Sequence, residues 1–269
     1  MTIAKVHLLI IDPQNDFSHP SGSLFVQGAD KDMPRVAAMI DRLGKRLDDI
    51  IITLDSHHVI DISHPGWFKD SKGNPPAPFT MITLKDLENG VWTTQIPSQF
   101  AYTLKYLKTL EQKGNHVHVI WPEHCLIGSW GNNVHSDVFN AVSKWERNNL
   151  AVANYVSKGS SIFTEHYGAI EAECPLPNDP TTQLNFNLIK SLETECDMLL
   201  VCGEAFNFCV KTTVNQIIKN FSNQELSKKI VLLTDGMSDV PGFEKSSQQF
   251  TDQAVAAGIQ FSTTVDVLK

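Results

Sequence analysis

Short apolar runs rich in β-branched residues alternate along this chain with longer stretches of helical periodicity. The apolar runs lie at residues 6–12, 49–55, 116–121, 150–156, 197–203 and 229–235, with a late one at 258–264. Apolar residues at helical spacing occupy residues 33–47, 99–112, 136–147, 182–195, 207–220 and 243–257. Near-continuous apolar runs are typical of strands buried on both faces of a parallel sheet, and strand alternating with helix indicates right-handed βαβ units. The pattern therefore predicts an open α/β sheet with parallel strands.

The length of 269 residues suits one large domain or two small ones. No shift in composition marks a boundary, so we expect a single domain over residues 1–269. A stretch rich in proline, glycine and aromatic residues, about 65–97, interrupts the rhythm as a long insertion. Loops of this length are commonly functional or flexible, and a surface excursion with some local strand is the alternative.

Charge and cysteine content exclude several classes of protein. The net charge is −8 and no cluster of Lys or Arg is present, which argues against nucleic acid as a partner. No apolar run approaches the ~18 residues that span a bilayer, so no membrane contact is expected. Five scattered cysteines without a CxxC pair suggest neither a disulfide scaffold nor a cysteine zinc site, and they suit a reducing, cytoplasmic location.

Reactive side chains follow the predicted strands. In open parallel sheets, ligands bind beyond the carboxyl ends of the strands. Five successive runs end in ionisable or metal-binding residues, namely Asp12, Asp55 with His57 and His58, His124 with Cys125, Lys158, and Cys209. Each one alone could be a helix cap or an ordinary polar terminus. Together they predict a site at one edge of the sheet.

Three of these residues suit cysteine-based nucleophilic catalysis. Cys209 lies at the start of the helix predicted at 207–220, where the helix N-terminus should lower the pKa of the thiol. No histidine follows it closely, so the carboxylate of Asp12 is the candidate base. Lys158 could hold that carboxylate ionised, with Gly159 marking a turn that aims the lysine inward. The alternative is a solvated surface lysine.

Three others suit a metal ion. Asp55 and His57 point the same way in an extended segment, because they lie two residues apart. His124, at a neighbouring strand end, could supply a third ligand. A carboxylate with imidazoles suits zinc, iron or manganese and leaves positions open for water or substrate.

The motifs as a set match a known family. IIDPQNDF, DSHH, WPEHC, SKG and GEAFNFCV occur in order over residues 10–235 and together resemble the nicotinamidases of the isochorismatase-like cysteine hydrolase superfamily. The resemblance implies a flavodoxin-like, three-layer α/β/α sandwich with a mostly parallel sheet. It also implies hydrolysis of nicotinamide to nicotinate and ammonia, with Asp12, Lys158 and Cys209 as the triad.

Further site residues are implied only by this resemblance. Phe17 and Trp121 would form aromatic walls around the pyridine ring, and Tyr167 would join them from a Tyr-Gly-Ala-Ile element that departs from the family pattern. A cis peptide would precede Ala205, whose backbone N–H would contribute, with that of Cys209, to an oxyanion hole.

The resemblance also bears on the metal ligands and on the loop before the nucleophile. His64 would be a further metal ligand, as in some members of the family, with Asp61 competing for that role and His58 next in line. Glu204 and Phe206 stand where the family usually has small residues.

We therefore expect a metal-dependent cysteine amidohydrolase that acts on nicotinamide or a close aromatic amide through a thioester. The cofactor would be a divalent metal ion, zinc first, with iron or manganese as alternatives. Another amidase or ureidohydrolase on the same triad is one rival, and a catalytically silent binding protein on this fold is another. Assembly into a homo-oligomer is left open by the sequence.

Overall fold

The computed structural model describes residues 4–114 and 116–269. Its centre is a six-stranded sheet in the order β10-β9-β8-β1-β2-β7, and all of its neighbouring strands are parallel. The strands of this sheet are β1 (Val6–Ile11), β2 (Asp49–Asp55), β7 (Asn154–Lys158), β8 (Met198–Gly203), β9 (Ile230–Leu233) and β10 (Gln260–Ser262). Four short strands lie outside it, namely β3 (Phe68–Lys69), β4 (Met81–Ile82), β5 (Thr93–Thr94) and β6 (His118–Val119).

Helices cover both faces of the sheet. They are α1 (Asn15–Ser18), α2 (Ala29–Leu43), α3 (Leu84–Glu88), α4 (Phe100–Lys113), α5 (Ser136–Asn149), α6 (Phe186–Thr194), α7 (Lys211–Asn220) and α8 (Glu244–Ala256). A π-helical turn, Phe206–Val210, leads directly into α7. Short 3₁₀ turns lie at Gly44–Arg46, Pro65–Trp67, Pro97–Gln99, Pro180–Thr182 and Gln224–Lys229.

Alternation along the strands divides the core in two. Leu8 and Ile10 of β1 pack on one side with α2 and α5, whereas Leu9 and Ile11 pack on the other with α6, α7 and α8. Apolar residues spaced three and four apart give each helix one buried stripe, as Met33, Val36 and Ile40 do in α2. The predicted α/β fold with a mostly parallel sheet is therefore confirmed.

One predicted strand of the sheet is wrong. Of residues 116–121 only His118–Val119 is a strand, and it pairs antiparallel with β4 outside the main sheet. The edge of β2 is occupied by β7, which pairs Asp55 with Lys158. Strand β7 begins at Asn154, later than the predicted start at residue 150, because α5 runs on to Asn149.

Residues 65–97 carry structure of their own. Strand β3 pairs with β5, and α3 begins at a capping box in which Thr83 and Asp86 satisfy each other's backbone N–H groups. The segment packs with α4 around a separate apolar cluster that includes Trp67, Phe68 and Tyr106. Its status as an insertion within a single domain stays a prediction. Among the described residues, no helix is long and apolar enough to cross a membrane.

Candidate active site

Parallel pairing brings the carboxyl ends of four strands to one edge of the sheet. Ile11 of β1 lies beside Gly203 of β8, and Asp55 of β2 lies beside Lys158 of β7. Asp12 follows β1 directly, so its side chain enters the same space. At the edge where the sequence predicted a site, the buried carboxylates of Asp12 and Asp55 therefore lie close together with Lys158 between them.

Lys158 is the hub of this cluster. Its Nζ lies 2.9 Å from Asp12 Oδ2 and 3.0 Å from Asp55 Oδ1, and it donates to the His166 carbonyl oxygen at 3.0 Å. The Sγ of Cys209 is 3.7 Å away. The lysine side chain is only 1% exposed, so the alternative of a solvated surface lysine is wrong. Burial lowers the pKa of Lys158, but the two carboxylates outweigh it and hold the pKa well above its ordinary value.

The turn after Lys158 requires glycine. Gly159 has φ +81°, and a Cβ there would lie 2.7 Å from Asp55 Oδ1. A larger residue would therefore clash with the carboxylate that Lys158 contacts.

Asp12 is held by a residue that sequence reasoning missed. Thr53 of β2 accepts a hydrogen bond from the Asp12 backbone N–H at 2.9 Å and donates its hydroxyl to Asp12 Oδ1 at 2.5 Å. Asp12 is fully buried and adopts a left-handed backbone, φ 44°. Burial raises the pKa of Asp12, against the opposing effect of Lys158. The signal was present, because Thr53 is two residues before Asp55 and so faces the same side of β2.

Cys209 lies in the π-helical turn that precedes α7. The expected lowering of its pKa by a helix N-terminus is wrong. Burial raises the pKa of the thiol well above its ordinary value, and the attraction of Lys158 only partly opposes this. All five cysteines are buried, so burial does not single this one out. Its contacts do, because the thiol lies 3.7 Å from Lys158 Nζ, which also contacts Asp12 Oδ2. A protonated thiol in this position needs a base.

Asp55, His57 and His124 form a cluster with the composition of a metal site. Asp55 Oδ2 lies 3.1 Å from His57 Nε2 and 3.5 Å from His124 Nε2. One ligand atom from each residue lies within 4.8 Å of the others, and all three residues are buried. Apart from this contact with Asp55, His57 Nε2 has no partner among the described residues. The far ring nitrogens are held by Asp61 Oδ2, 3.1 Å from His57 Nδ1, and by the Pro122 carbonyl oxygen, 2.8 Å from His124 Nδ1. Outer partners of this kind orient histidine ligands, so the residues fit a divalent metal.

The structure keeps His64 out of this three-residue set. The Nε2 of His64 lies 3.4 Å from His124 Nδ1, the nitrogen that faces away from Asp55. Burial, followed by the effect of the neighbouring histidines, lowers the pKa of His64 to about 4. Asp61 lies behind His57 as its hydrogen-bond partner, and His58 is exposed.

A pocket opens beside the cysteine and the histidines. Its walls include the predicted Phe17, Trp121, Tyr167 and Ala205, together with Asp55, His124 and Cys209. Four further lining residues were missed, namely Leu24, Glu165, Phe208 and Val240.

Aromatic contacts shape these walls. Trp121 Nε1 donates to the Tyr167 hydroxyl at 3.0 Å, and Phe208 packs edge-on against Trp121 at 5.0 Å between ring centroids. Phe208 could have been inferred from its place next to Cys209. Leu24 ends the Gly-Ser-Leu stretch that follows IIDPQNDF, so a signal for it was present, whereas Val240 comes from a distant loop that carries no motif. The peptide bond before Ala205 is cis.

Two known nicotinamidases are similar to this chain in sequence. A nicotinamidase of Saccharomyces cerevisiae is 25% identical over 228 residues, which cover 85% of this chain and 85% of the relative. A nicotinamidase of Escherichia coli is 25% identical over 260 residues, which cover 96% of this chain and 95% of the relative. A search of protein-family models found no match.

Solved structures show the same fold. The yeast nicotinamidase bound to the inhibitor nicotinaldehyde superposes with a TM-score of 0.65 at 20% identity, over 96% of this chain and 99% of its own. A pyrazinamidase of Pyrococcus horikoshii in complex with zinc gives a TM-score of 0.55 at 18% identity, over 96% and 99%. The chain is therefore similar in sequence to nicotinamidases over most of its length and shares the fold of the solved nicotinamidase and pyrazinamidase structures.

Proposed function

We propose that this protein hydrolyses nicotinamide, or a close aromatic amide, to the carboxylic acid and ammonia. The observation that carries the proposal is the buried contact of Lys158 with both Asp12 and Cys209 at the edge of an aromatic pocket. The similarity in sequence to two nicotinamidases supports the same substrate class.

The roles of the three residues follow from their protonation. The Cys209 thiol holds its proton, so ionised Asp12 takes it as the thiol sulfur attacks the amide carbonyl carbon. Lys158 stabilises the charge on Asp12 and on the developing thiolate. The carbon–nitrogen bond then breaks, and protonated Asp12 returns the proton to the departing nitrogen as ammonia leaves. Water hydrolyses the resulting thioester, which releases the acid and restores the thiol.

Backbone donors near Cys209 suit the oxyanion of the tetrahedral intermediate. The N–H of Ala205 has no acceptor among the described residues, and Ala205 lines the pocket beside Cys209. A free N–H at this place can donate to the carbonyl oxygen as it gains charge. The N–H of Cys209 is the second proposed donor.

Asp55, His57 and His124 are the proposed holders of a divalent metal ion, with zinc favoured by the zinc-bound structural neighbour. When bound, the ion would supply a Lewis-acid anchor for a ring nitrogen or a water. Phe17 and Trp121 would hold the aromatic ring of the substrate between them. The amide carbon would then lie at Cys209.

The experiment is ammonia release from nicotinamide and a panel of small amides and ureido compounds, with and without a chelator. Highest turnover on nicotinamide or another pyridine carboxamide is expected. Turnover confined to aliphatic amides or ureido substrates would favour the rival amidase or ureidohydrolase. No turnover on any substrate, together with no faster alkylation of Cys209 than of Cys202 by a small electrophile, would favour the silent binding protein.

A further inference from the structure

The carboxyl group of Glu204 lies between β8 and the turn that carries Cys209. Glu204 is 0% exposed, and its neighbour Ala205 lines the pocket. A buried carboxyl group is costly unless it is neutral or paired. It has no part in the proposed reaction, so its presence at this position needs another explanation.

Glu204 is paired with a second buried acid, Asp32 of α2, which is 3% exposed. Ser238 joins the two, because its backbone N–H donates to Glu204 Oε2 at 3.0 Å and its hydroxyl donates to Asp32 Oδ2 at 2.5 Å. Glu204 Oε1 has no donor among the described residues, and both buried carboxyl groups are bonded to the same serine. Two carboxyl oxygens can share a hydrogen bond only when one of them carries a proton.

The same place is where two backbone segments lie side by side. Gly203 N–H donates to the Gly236 carbonyl oxygen at 2.9 Å, and Phe206 N–H donates to the Ser238 carbonyl oxygen at 2.8 Å. The Asn207 side chain bonds to both backbone groups of Val240, at 2.9 and 3.0 Å. Val240 lines the pocket with Cys209. Segment 203–207 and loop 236–240 therefore hold each other, and the Glu204–Ser238–Asp32 contacts tie both to α2.

We propose that Glu204 is a positioning residue that shares one proton with Asp32, and that this carboxyl pair holds the segment carrying Ala205 and Cys209 in place. The inference rests on the proposed function, since the segment it holds carries the proposed nucleophile. Carboxyl groups that share a site in this way cannot both ionise without repulsion.

The charges that surround the pair determine the effect of pH. Arg35 of α2 contacts Asp32 Oδ1 at 3.0 Å and is the cation facing the pair. Asp235 and Asp239, after β9, add negative charge, and the Cys202 thiol faces Glu204 from β8. Burial, then Asp32, raises the pKa of Glu204 well above its ordinary value. A raised folded-state pKa gives stability at low pH that is lost as pH rises toward that value.

The test is equilibrium urea unfolding of the wild type and Glu204→Gln at intervals from pH 5 to pH 9. Glutamine keeps an acceptor for Ser238 and a donor for Asp32 without a titrating proton. The wild-type folding constant should fall, relative to the variant, by roughly tenfold per pH unit wherever the folded state alone keeps the proton. Buried acids away from this site contribute equally to both proteins, so the difference isolates the Glu204–Asp32 pair.

Glu88→Gln is the matched control, because Glu88 is exposed at the end of α3. The folding constant of Glu88→Gln should change with pH in the same way as that of the wild type. If the folding constant of Glu204→Gln also changes with pH as the wild type does, the shared proton is disproved. Should that variant not fold, Asp32→Asn gives the second measurement, since removing the partner charge should also flatten the decline, and an unchanged decline would overturn the proposal.

Positioning is tested by kinetics at pH 6 on the folded fraction. Glu204→Gln should keep wild-type kcat and KM, whereas Glu204→Leu, which loses the Ser238 and Asp32 contacts, should lower kcat at least tenfold with KM nearly unchanged. A wild-type kcat for the leucine variant would refute positioning. If the wild type itself hydrolyses no amide, the proposed function and the positioning role both fail, while the unfolding difference still decides the shared proton.

Discussion

Thr53→Val removes one hydroxyl from beside the proposed base and leaves the shape of the core almost unchanged. Thr53 donates to Asp12 Oδ1 at 2.5 Å and accepts from the Asp12 backbone N–H at 2.9 Å, and Asp12 is fully buried. A hydrogen bond to a charged group contributes about 1.5–3 kcal/mol. Its loss disfavours ionised Asp12 by that amount, which corresponds to roughly a 10- to 100-fold smaller ionisation constant. The pKa of Asp12, already raised by burial, should rise further.

The assay is kcat/KM for nicotinamide as a function of pH. On the acidic limb, Thr53→Val should be slower than the wild type by the same 10- to 100-fold factor, and at higher pH the two curves should converge. Thr103→Val is the matched control, because Thr103 is equally buried and bonded but lies in the separate cluster around α4. Both variants should lose stability, but only Thr53→Val should shift the acidic limb of the pH profile of kcat/KM. An acidic limb that stays in place would refute Asp12 as the group that must ionise.

Three other outcomes test the site. Cys209→Ala should retain the fold, by its melting temperature, and release no ammonia; activity above about a tenth of wild type would remove Cys209 as the nucleophile. His57→Ala and His124→Ala should each lose bound metal by elemental analysis, whereas His64→Ala should keep it; full occupancy in the first two would place the ligands elsewhere. Lys158→Met should lower kcat/KM by about a hundredfold or more and shift the acidic limb to higher pH, because the ammonium that favours ionised Asp12 is gone, and Lys158→Arg should rescue poorly. A near-normal rate in the methionine variant would leave Asp12 and Cys209 as a dyad.

Much of the fold could be predicted because the pattern that specifies it is local. Near-continuous apolar runs specify buried parallel strands whatever their neighbours, and β1, β2 and β8 lie within a residue of their predicted bounds. The run at 116–121 has the same composition but does not join the sheet. It pairs with β4 instead, while β7 occupies the edge of β2, and no local pattern in the sequence records these long-range pairings.

The candidate site divides in the same way. Asp12, Asp55 and Lys158 could be named in advance, because parallel strands must deliver their carboxyl ends to one edge. His124 reaches the same site although β6, which precedes it, lies outside that sheet. The direction in which the pKa of Cys209 shifts could not be predicted from the sequence. It depends on how much water burial removes and on the charges of Asp12, Asp55 and Lys158 around the sulfur. The position of Cys209 at the start of a predicted helix suggested a lowered pKa, which is the opposite shift.

By itself, then, the sequence determined the α/β class, the edge at which chemistry is expected, and the residue types available there, since all three follow from short-range periodicity and order along the chain. The tertiary structure alone decided which distant groups meet. It placed Thr53 on Asp12, set Asp61 behind His57, and joined Glu204 to Asp32 through Ser238. Some of these contacts link residues that lie far apart in the chain, and the others depend on the geometry of a loop. Their protonation depends on burial and on the summed field of neighbours, which exist only once the chain has folded.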